Sequence, residues 1–439
     1  MILSGWGRFP RAECRFIDAH DRKSALEAIA ANPSLIARGN GRSYGDSSLN
    51  PGATLGMTRG NRLRDFDQDS GLLDCEAGVM LADILETFVP RGWFPPVTPG
   101  TKFVTIGGMI AADVHGKNHH RDGAFGSHVE SLELALAGGN VATCSASENA
   151  GLFAATRGGM GLTGVILSAR FRLKPIATSS IRQETLICRD LDETMARFED
   201  SKDWTYTVAW IDCLARGGAS GRSLLYRGEH AALADLPQER RAAPLMYETG
   251  RAKRVPADFP VFALNRWSVA AFNEIYYRRA RPGTDIVDFE RFFYPLDSLL
   301  EWNRIYGRKG FVQYQCVLPK KESRQGLGVL LARISEAGAG SFLSVLKLLG
   351  PSSCPLSFPM EGYTLALDFP ASKANLELLD SLDGIVAAHG GRVYLAKDAR
   401  LAPGMVRQFY PELGAFEDAR LAADPGRKFA SLQSQRLGL

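Results

Sequence analysis

Two stretches near the start of the chain have residue types suited to holding a phosphate: RGNGRSYGD (residues 38–46) and TIGGMIAADVHG (residues 105–116). Glycine lets successive backbone N–H groups turn toward one point, and such a concave nest binds an anion without help from a helix. Arg38, Gly39, Asn40, Gly41, Arg42, Ser43 and Gly45 would shape one wall. In the second stretch Gly107 and Gly108 allow close approach, and MIAADV is compact enough to lie against a flat ring. Two such loops facing each other suit a pyrophosphate. Taken singly, each is equally an ordinary turn, because glycine is the default turn residue.

Other phosphate and metal signatures fail on context. Gly159, Gly161 and Gly164 in RGGMGLTG match the dinucleotide spacing GxGxxG, but the helix-like NAGLFAATR precedes them and the strand-like VILSARF follows. A dinucleotide fold needs the reverse order. HGKN has no Ser or Thr after Lys117, so it is no Walker loop. His119 and His120 have no third ligand at metal spacing, and no metal is expected.

The elements that must position these loops are short and mixed. Residues 34–38, 131–137 and 166–173 read as strands, and residues 80–89 as a helix with Leu81, Ile84, Leu85 and Phe88 on one face. A boundary falls at LKPIATSS, residues 173–180, where Pro175 breaks the pattern. Residues 244–260 read as a mobile loop, 375–391 as a helix closed by a glycine pair, and RVYLAKD (392–398) as a strand. The mixture argues α+β or α/β.

Composition narrows the class. With 439 residues the chain holds two or three domains, and 45% apolar with 23% charged residues is ordinary for a globular protein. A net charge of +4 is too mild to indicate nucleic acid, although residues 240–281 carry nine Lys or Arg against three carboxylates. The seven scattered cysteines include no CxxC pair, which points to a reducing compartment rather than a disulfide or zinc framework. Neither a signal peptide nor an apolar run of membrane-spanning length is visible, so a cytoplasmic location is expected.

The order of the motifs resembles the FAD-binding family typified by vanillyl-alcohol oxidase and p-cresol methylhydroxylase. More narrowly, GRSYGD, HGKNHH, FGSHVESLEL, GLTGVIL, LYRGEH, EWNRIYG, FVQYQCVLP, LSFPMEGY and VYLAKDAR run in order as in the decaprenylphosphoryl-β-D-ribose 2-oxidase family. The resemblance implies an α+β fold: an FAD domain of two subdomains over 1–177, a cap with an antiparallel sheet over 178–391, and a segment over 392–439 that returns to the FAD domain. It also implies FAD held non-covalently, since relatives that tether flavin use a His in the loop corresponding to 38–46, where this chain has none and Arg42 occupies about that place.

The implied reaction takes hydride from the 2′-carbon of a polyprenylphosphoryl ribose to FAD. The keto product then passes to a separate NADH-dependent reductase. The basic segment 240–281 reads, from its charge, either as a solvated loop or as a surface that lies near anionic lipid. An oxidase of free alditols or aldonolactones, using dioxygen, is the alternative on the same scaffold.

By the same resemblance, Lys397, Tyr394 and His115 are the catalytic candidates. Pro99, Gly100, Thr101, Thr105, Ala111, Gly161 and Ile166 join the two glycine stretches in holding the cofactor, with His115 and Tyr394 beside it. Tyr44, Lys117, Trp210, Tyr294, Gln313, Gln315, Lys347 and Lys397 line the substrate pocket. Lys117 suits a phosphate, because an ammonium is a compact point charge. Two positions depart from the family pattern: Ala366 stands where mycobacterial members have Cys, and Met160 where close relatives carry Asn.

Overall fold

Three sheets carry the architecture. The computed structural model describes residues 1–439 except 248, 249, 251 and 353. A small parallel sheet pairs β1 (Phe16–Asp18) and β2 (Ile36–Arg38) on either side of β3 (Thr54–Gly56). Beside it lies an antiparallel sheet of β4 (Leu63–Asp67), β5 (Leu72–Glu76), β6 (Val129–Ala135), β7 (Val141–Ser145) and β8 (Val165–Arg172), in the order β7-β6-β8-β5-β4. The third is an eight-stranded antiparallel sheet. Its members are β9 (Ser180–Cys188), β10 (Tyr206–Ile211), β11 (Ser223–His230), β12 (Gly283–Asp288), β13 (Phe311–Pro319), β14 (Ser344–Leu349), β15 (Gly362–Pro370) and β16 (Arg392–Val393). Their order is β12-β9-β11-β10-β14-β15-β13-β16. Helices and antiparallel sheets thus mix along the chain as an α+β protein requires.

Apolar spacing explains why the helices sit where they do. In α1 (Leu81–Phe88), Leu81, Ile84, Leu85 and Phe88 are buried together, each contributing roughly 1.5–3 kcal/mol of burial. The long helices α3 (Lys320–Ala337) and α4 (Lys373–Ala388) cover the eight-stranded sheet through Leu327, Leu330, Leu331 and Ile334 of the one and Leu378, Leu379, Leu382 and Val386 of the other. Ser372 starts α4 by accepting the Asn375 N–H. Gly338 in the left-handed region ends α3.

The structure corrects three local readings. TIGGMIAADVHG is not an open nest: Ile106–Ala111 forms the short helix α2, with Thr105 Oγ1 accepting the Gly108 N–H at 3.3 Å. RVYLAKD is a strand only at Arg392–Val393 and then turns, so Lys397 stands on a turn. Among the described residues the outermost strand has no further partner to keep it extended, and Asp398 N–H bonds back to Tyr394 and Leu395 instead. The described residues of 244–260 are fastened at several points: Ser179 N–H donates to Pro244 O, Ser179 Oγ–H to Met246 O, and Lys253–Arg254 pairs with Leu299–Leu300. Arg251 lies outside the described residues. Among the described residues no helix is long and apolar enough to cross a membrane.

Candidate active site

A cavity of about 710 Å³ opens between the glycine-rich segments and one face of the eight-stranded sheet. The pleat of the sheet chooses which residues face it, since alternate side chains point the same way. Register then sets them side by side: Gln313 pairs with Asp368, Gln315 with Ala366, Val345 with Ala366, and Trp210 with Val345. All of these line the cavity, and so does Lys347, two residues beyond Val345.

The opposite wall comes from the loop after β2, the 98–101 segment, α2 and the glycines after the 150–156 helix. Among the described residues, the backbone N–H groups of Asn40, Gly41, Arg42 and Ser43 meet no acceptor in the chain. The loop is held from its sides: Asn40 Nδ2–H donates to Phe103 O at 2.8 Å, and the Arg42 guanidinium lies 4.0 Å from the Trp6 ring centre. Gly39 must be glycine, because a Cβ there would fall 2.2 Å from Thr105 Oγ1.

Three lysines share this cavity with one carboxylate. Burial lowers Lys117 and Lys397 to about 7 and Lys347 to about 8; Lys347 further depresses the other two, while the Asp368 carboxylate works to keep Lys397 charged. Burial raises Asp368 to about 7, against the Gln313 amide donating to Oδ1 at 2.6 Å and the charge of Lys397. Lys397 Nζ faces the Tyr44 ring, and Lys117 Nζ–H donates to Phe292 O with its charge 4.1 Å from that ring centre.

His115 is fixed by its neighbours. Thr364 Oγ–H donates to Cys316 O, so Gln315 Nε2–H donates both to Thr364 Oγ1 and to His115 Nε2, the latter at 2.9 Å. The imidazole proton is therefore on Nδ1, a buried donor with no acceptor among the described residues. Burial and the nearby Lys347 charge hold His115 neutral, well below its ordinary range. Tyr394 stacks on Phe358 and donates its hydroxyl proton to Ala112 O at 2.7 Å, which ties the Lys397 turn to α2.

Of the residues expected from sequence, the cavity wall includes Gly39–Tyr44, Pro99–Thr101, Thr105, Gly107, Gly108, Ala111, His115, Lys117, Gly161, Ile166, Trp210, Gln313, Gln315, Lys347, Tyr394 and Lys397. Three expected residues do not line it. The Arg38 guanidinium turns to Ser48 Oγ and Ser4 O. Gly45 packs on the backbone of Asp398. Tyr294 is buried with its hydroxyl against Thr98. Sequence reasoning missed Asp368 and the aromatic wall of Trp6, Trp302 and Phe292. A lone acidic residue in the apolar run TLALDFP was the available signal for Asp368.

A model of an FAD-binding domain matches residues 18–145. The chain is 37% identical over its whole length, and over 97% of the relative, to the decaprenylphosphoryl-β-D-ribose oxidase of Mycolicibacterium smegmatis. It is 31% identical to the L-gulonolactone oxidase of Mus musculus across 33% of this chain and 32% of that one. It is 34% identical to cytokinin dehydrogenase 9 of Oryza sativa across 32% of this chain and 28% of that one. These two partial matches each take in about a third of the chain, whereas the first includes the sheet face and the Lys397 turn, and the chain belongs to the decaprenylphosphoryl-β-D-ribose oxidase family of FAD-dependent oxidoreductases.

Proposed function

We propose that this protein oxidises the 2′-hydroxyl of a polyprenylphosphoryl-β-D-ribose to the 2′-keto sugar, the first half of its epimerisation to the arabinose donor. The observation that carries this reading is the gathering of Lys117, Lys347 and Lys397 around one cavity whose single carboxylate, among the described residues, is Asp368. Buried cations in excess call for an anionic ligand. A sugar phosphodiester meets that demand; a free alditol or aldonolactone does not.

The residues present fit FAD. The acceptor-free N–H groups of residues 40–43 suit a pyrophosphate, and Gly107 lets α2 pack onto Ala77, where a Cβ would come within 3.0 Å of another. We place the cofactor-holding unit in 1–177 with 392–439, and the cap in 178–391. The flavin is held without a covalent bond, as the loop 38–46 contains neither His nor Cys. Bound FAD supplies a two-electron hydride acceptor.

The chain's own residues supply the rest. Lys397, close to half-deprotonated at neutral pH, accepts the hydroxyl proton as the carbonyl forms. Lys347 and Lys117 hold the phosphate, while Gln313 and Gln315 orient sugar oxygens and the neutral His115 ring fixes the Gln315 amide. Trp210 packs against the sugar or prenyl chain.

The cavity mouth supports a lipid-borne substrate. Phe272 and Tyr276 of the helix Arg266–Arg279 line it, and the same helix exposes Trp267 (77%) and Ile275, with Phe262 (78%) just before it. Arg266, Arg278, Arg279 and Arg281 flank this apolar ridge along the chain. Aromatics flanked by arginine suit an anionic bilayer surface, each basic residue contributing roughly 1 kcal/mol. The keto product passes to a separate NADH-dependent reductase.

Anaerobic bleaching of the flavin by prenylphosphoryl ribose, set against xylitol and a free lactone, tests the substrate. Equal bleaching by xylitol overturns the assignment.

A further inference from the structure

Arg436 does not line the cavity, yet it ties together two segments that do. It sits on the last helix, Leu432–Leu437, and donates to two buried carboxylates at once. Its Nη2–H groups reach Asp46 Oδ1 at 2.9 Å and Asp398 Oδ2 at 2.8 Å, and its Nη1–H reaches Leu401 O at 2.7 Å. Asp46 stands two residues after Tyr44, and Asp398 directly after Lys397. Burial raises Asp46 and the Asp398 charge adds to that, whereas Arg436 works against both. Left facing each other without the guanidinium, the two like charges would push their segments apart. The other oxygen of Asp398 accepts the Arg400 and Leu401 N–H groups at 2.9 and 2.7 Å, which shapes the turn after Lys397. The helix itself is pinned on both sides: Leu432 N–H donates to Leu49 O at 2.8 Å, and Gln433 Nε2–H to Leu395 O at 2.7 Å.

We infer that Arg436 is a positioning residue for the oxidation: it clamps the loop bearing Tyr44 to the turn bearing Lys397, and so keeps the Lys397 amine on the Tyr44 ring. The inference rests on the reading of Lys397 as the proton acceptor. Beyond the clamp, the Tyr44 N–H donates to Ala396 O at 3.0 Å, and Lys397 Nζ lies 3.9 Å from the Tyr44 ring centre. Packing at Gly45 limits how closely loop and turn approach but does not draw them together. A guanidinium shared by two buried carboxylates does, because charge-assisted hydrogen bonds are strong where water is excluded. With the clamp removed, the turn relaxes, and the amine moves to wetter surroundings and regains proton affinity. Asp368 and Lys347, whose charges act on the amine, stand on other strands and are untouched by the change. The phosphate therefore keeps its partners.

Arg436→Gln in the holoenzyme tests the clamp. Anaerobic flavin reduction by prenylphosphoryl ribose at neutral pH slows about tenfold at saturating substrate, while the half-saturating concentration stays as it is. The pH midpoint of that rate rises from about 7 to about 8. The Arg436 side chain is 24% exposed, so free guanidinium ion at low concentration takes its place in the variant and restores rate and midpoint. An unchanged rate and midpoint overturn the inference, and so does a loss that guanidinium does not repair. Asp46→Asn keeps the side-chain shape and removes one end of the clamp; it shifts the midpoint the same way, and it carries the test should Arg436→Gln fail to fold. Arg222→Gln takes a guanidinium from the comparably buried Asp212 and moves neither readout; a shift there would mean general loosening and overturn the role. An independent readout needs no substrate: carbamylation of Lys397 by cyanate across pH, located by mass spectrometry, gives the midpoint of the amine itself. It rises in Arg436→Gln. An unmoved midpoint overturns the clamp even where the proton reading has failed, and a wrong proton acceptor shows itself separately as a Lys397→Ala enzyme that reduces flavin at the wild-type rate.

Discussion

Lys397 Nζ stands 3.9 Å from the centre of the Tyr44 ring. Tyr44 belongs to the loop of unpaired N–H groups and Lys397 to the turn after the last strand, and the Tyr44 N–H also donates to Ala396 O at 3.0 Å. Loop and turn are therefore one unit. The ring face stabilises the ammonium by about 2 kcal/mol when desolvated, which offsets part of the cost of burying it.

Removing that amine should remove the base. Lys397→Ala is expected to bind FAD normally and to reduce it roughly 10²–10⁴-fold more slowly, by about the contribution of a positioned general base. In the wild type the anaerobic reduction rate rises with pH through about 7, as the Lys397 amine is freed. A Lys397→Ala enzyme with the wild-type rate and pH profile would refute the assignment.

The three buried lysines set a pH dependence of stability. Their ordinary value is 10.5, against about 7 for Lys117 and Lys397 and about 8 for Lys347 in the fold. Between about 7 and 10.5 the unfolded chain binds more protons than the folded one, so stability rises with pH across that window. Asp368, raised to about 7, acts only below it. Thermal unfolding of the cofactor-free protein across this window reads the slope. Lys347→Met should flatten it and stabilise the protein at neutral pH by at least about 1.4 kcal/mol, the free energy of a tenfold change in proton affinity.

Met160 has φ 53°, in the left-handed region, where its N–H donates to Ala111 O. A non-glycine residue is strained there, and Asn tolerates the region far better than a β-branched side chain. Met160→Asn is expected to stay within about 1 kcal/mol of wild type, and Met160→Val to lose about 2 kcal/mol or more although Val is the closer match in polarity. Denaturant unfolding ranks the two; the opposite order would contradict the strain argument.

All seven cysteines are free and buried, and none lines the cavity. Burial pushes the Cys316 thiol up to about 12, which keeps it unreactive. Thiol reagents should therefore leave flavin reduction intact. Ala366→Cys places a thiol on the cavity wall opposite Gln315, and this variant should be inactivated with one label at residue 366, located by mass spectrometry.

Acid precipitation should leave FAD in the supernatant and a colourless pellet. A yellow pellet would show a covalent link and overturn the reading of the 38–46 loop.

Much of the site was legible because it depends on residues with few alternative uses. The glycines of the 39–45 loop and the order of segments along the chain pointed to one cradle. Two features resisted. The helix at Ile106–Ala111 is too short for its period to register, and its start depends on the Thr105 side chain. Asp368 looked like an isolated acid in an apolar run; only strand register sets it against Gln313 and under the field of Lys397. Tyr294 failed for the converse reason, since residue type says nothing of which side of a buried wall a ring occupies. Its hydroxyl is spent on Thr98.

A Cβ at Gly45 would fall 1.8 Å from Asp398 O. This leaves the two chain segments no play against each other, although they stand near opposite ends of the sequence. The half of the site that handles electrons and the proton therefore drifts as a block or not at all. The sheet face opposite is under no such tie, because its side chains change without moving the backbone that bears them. Re-engineering of substrate preference belongs on Trp210, Gln313, Val345 and Ala366, and a library that spares Gly45 and Asp398 should keep its yellow colour while its specificity wanders.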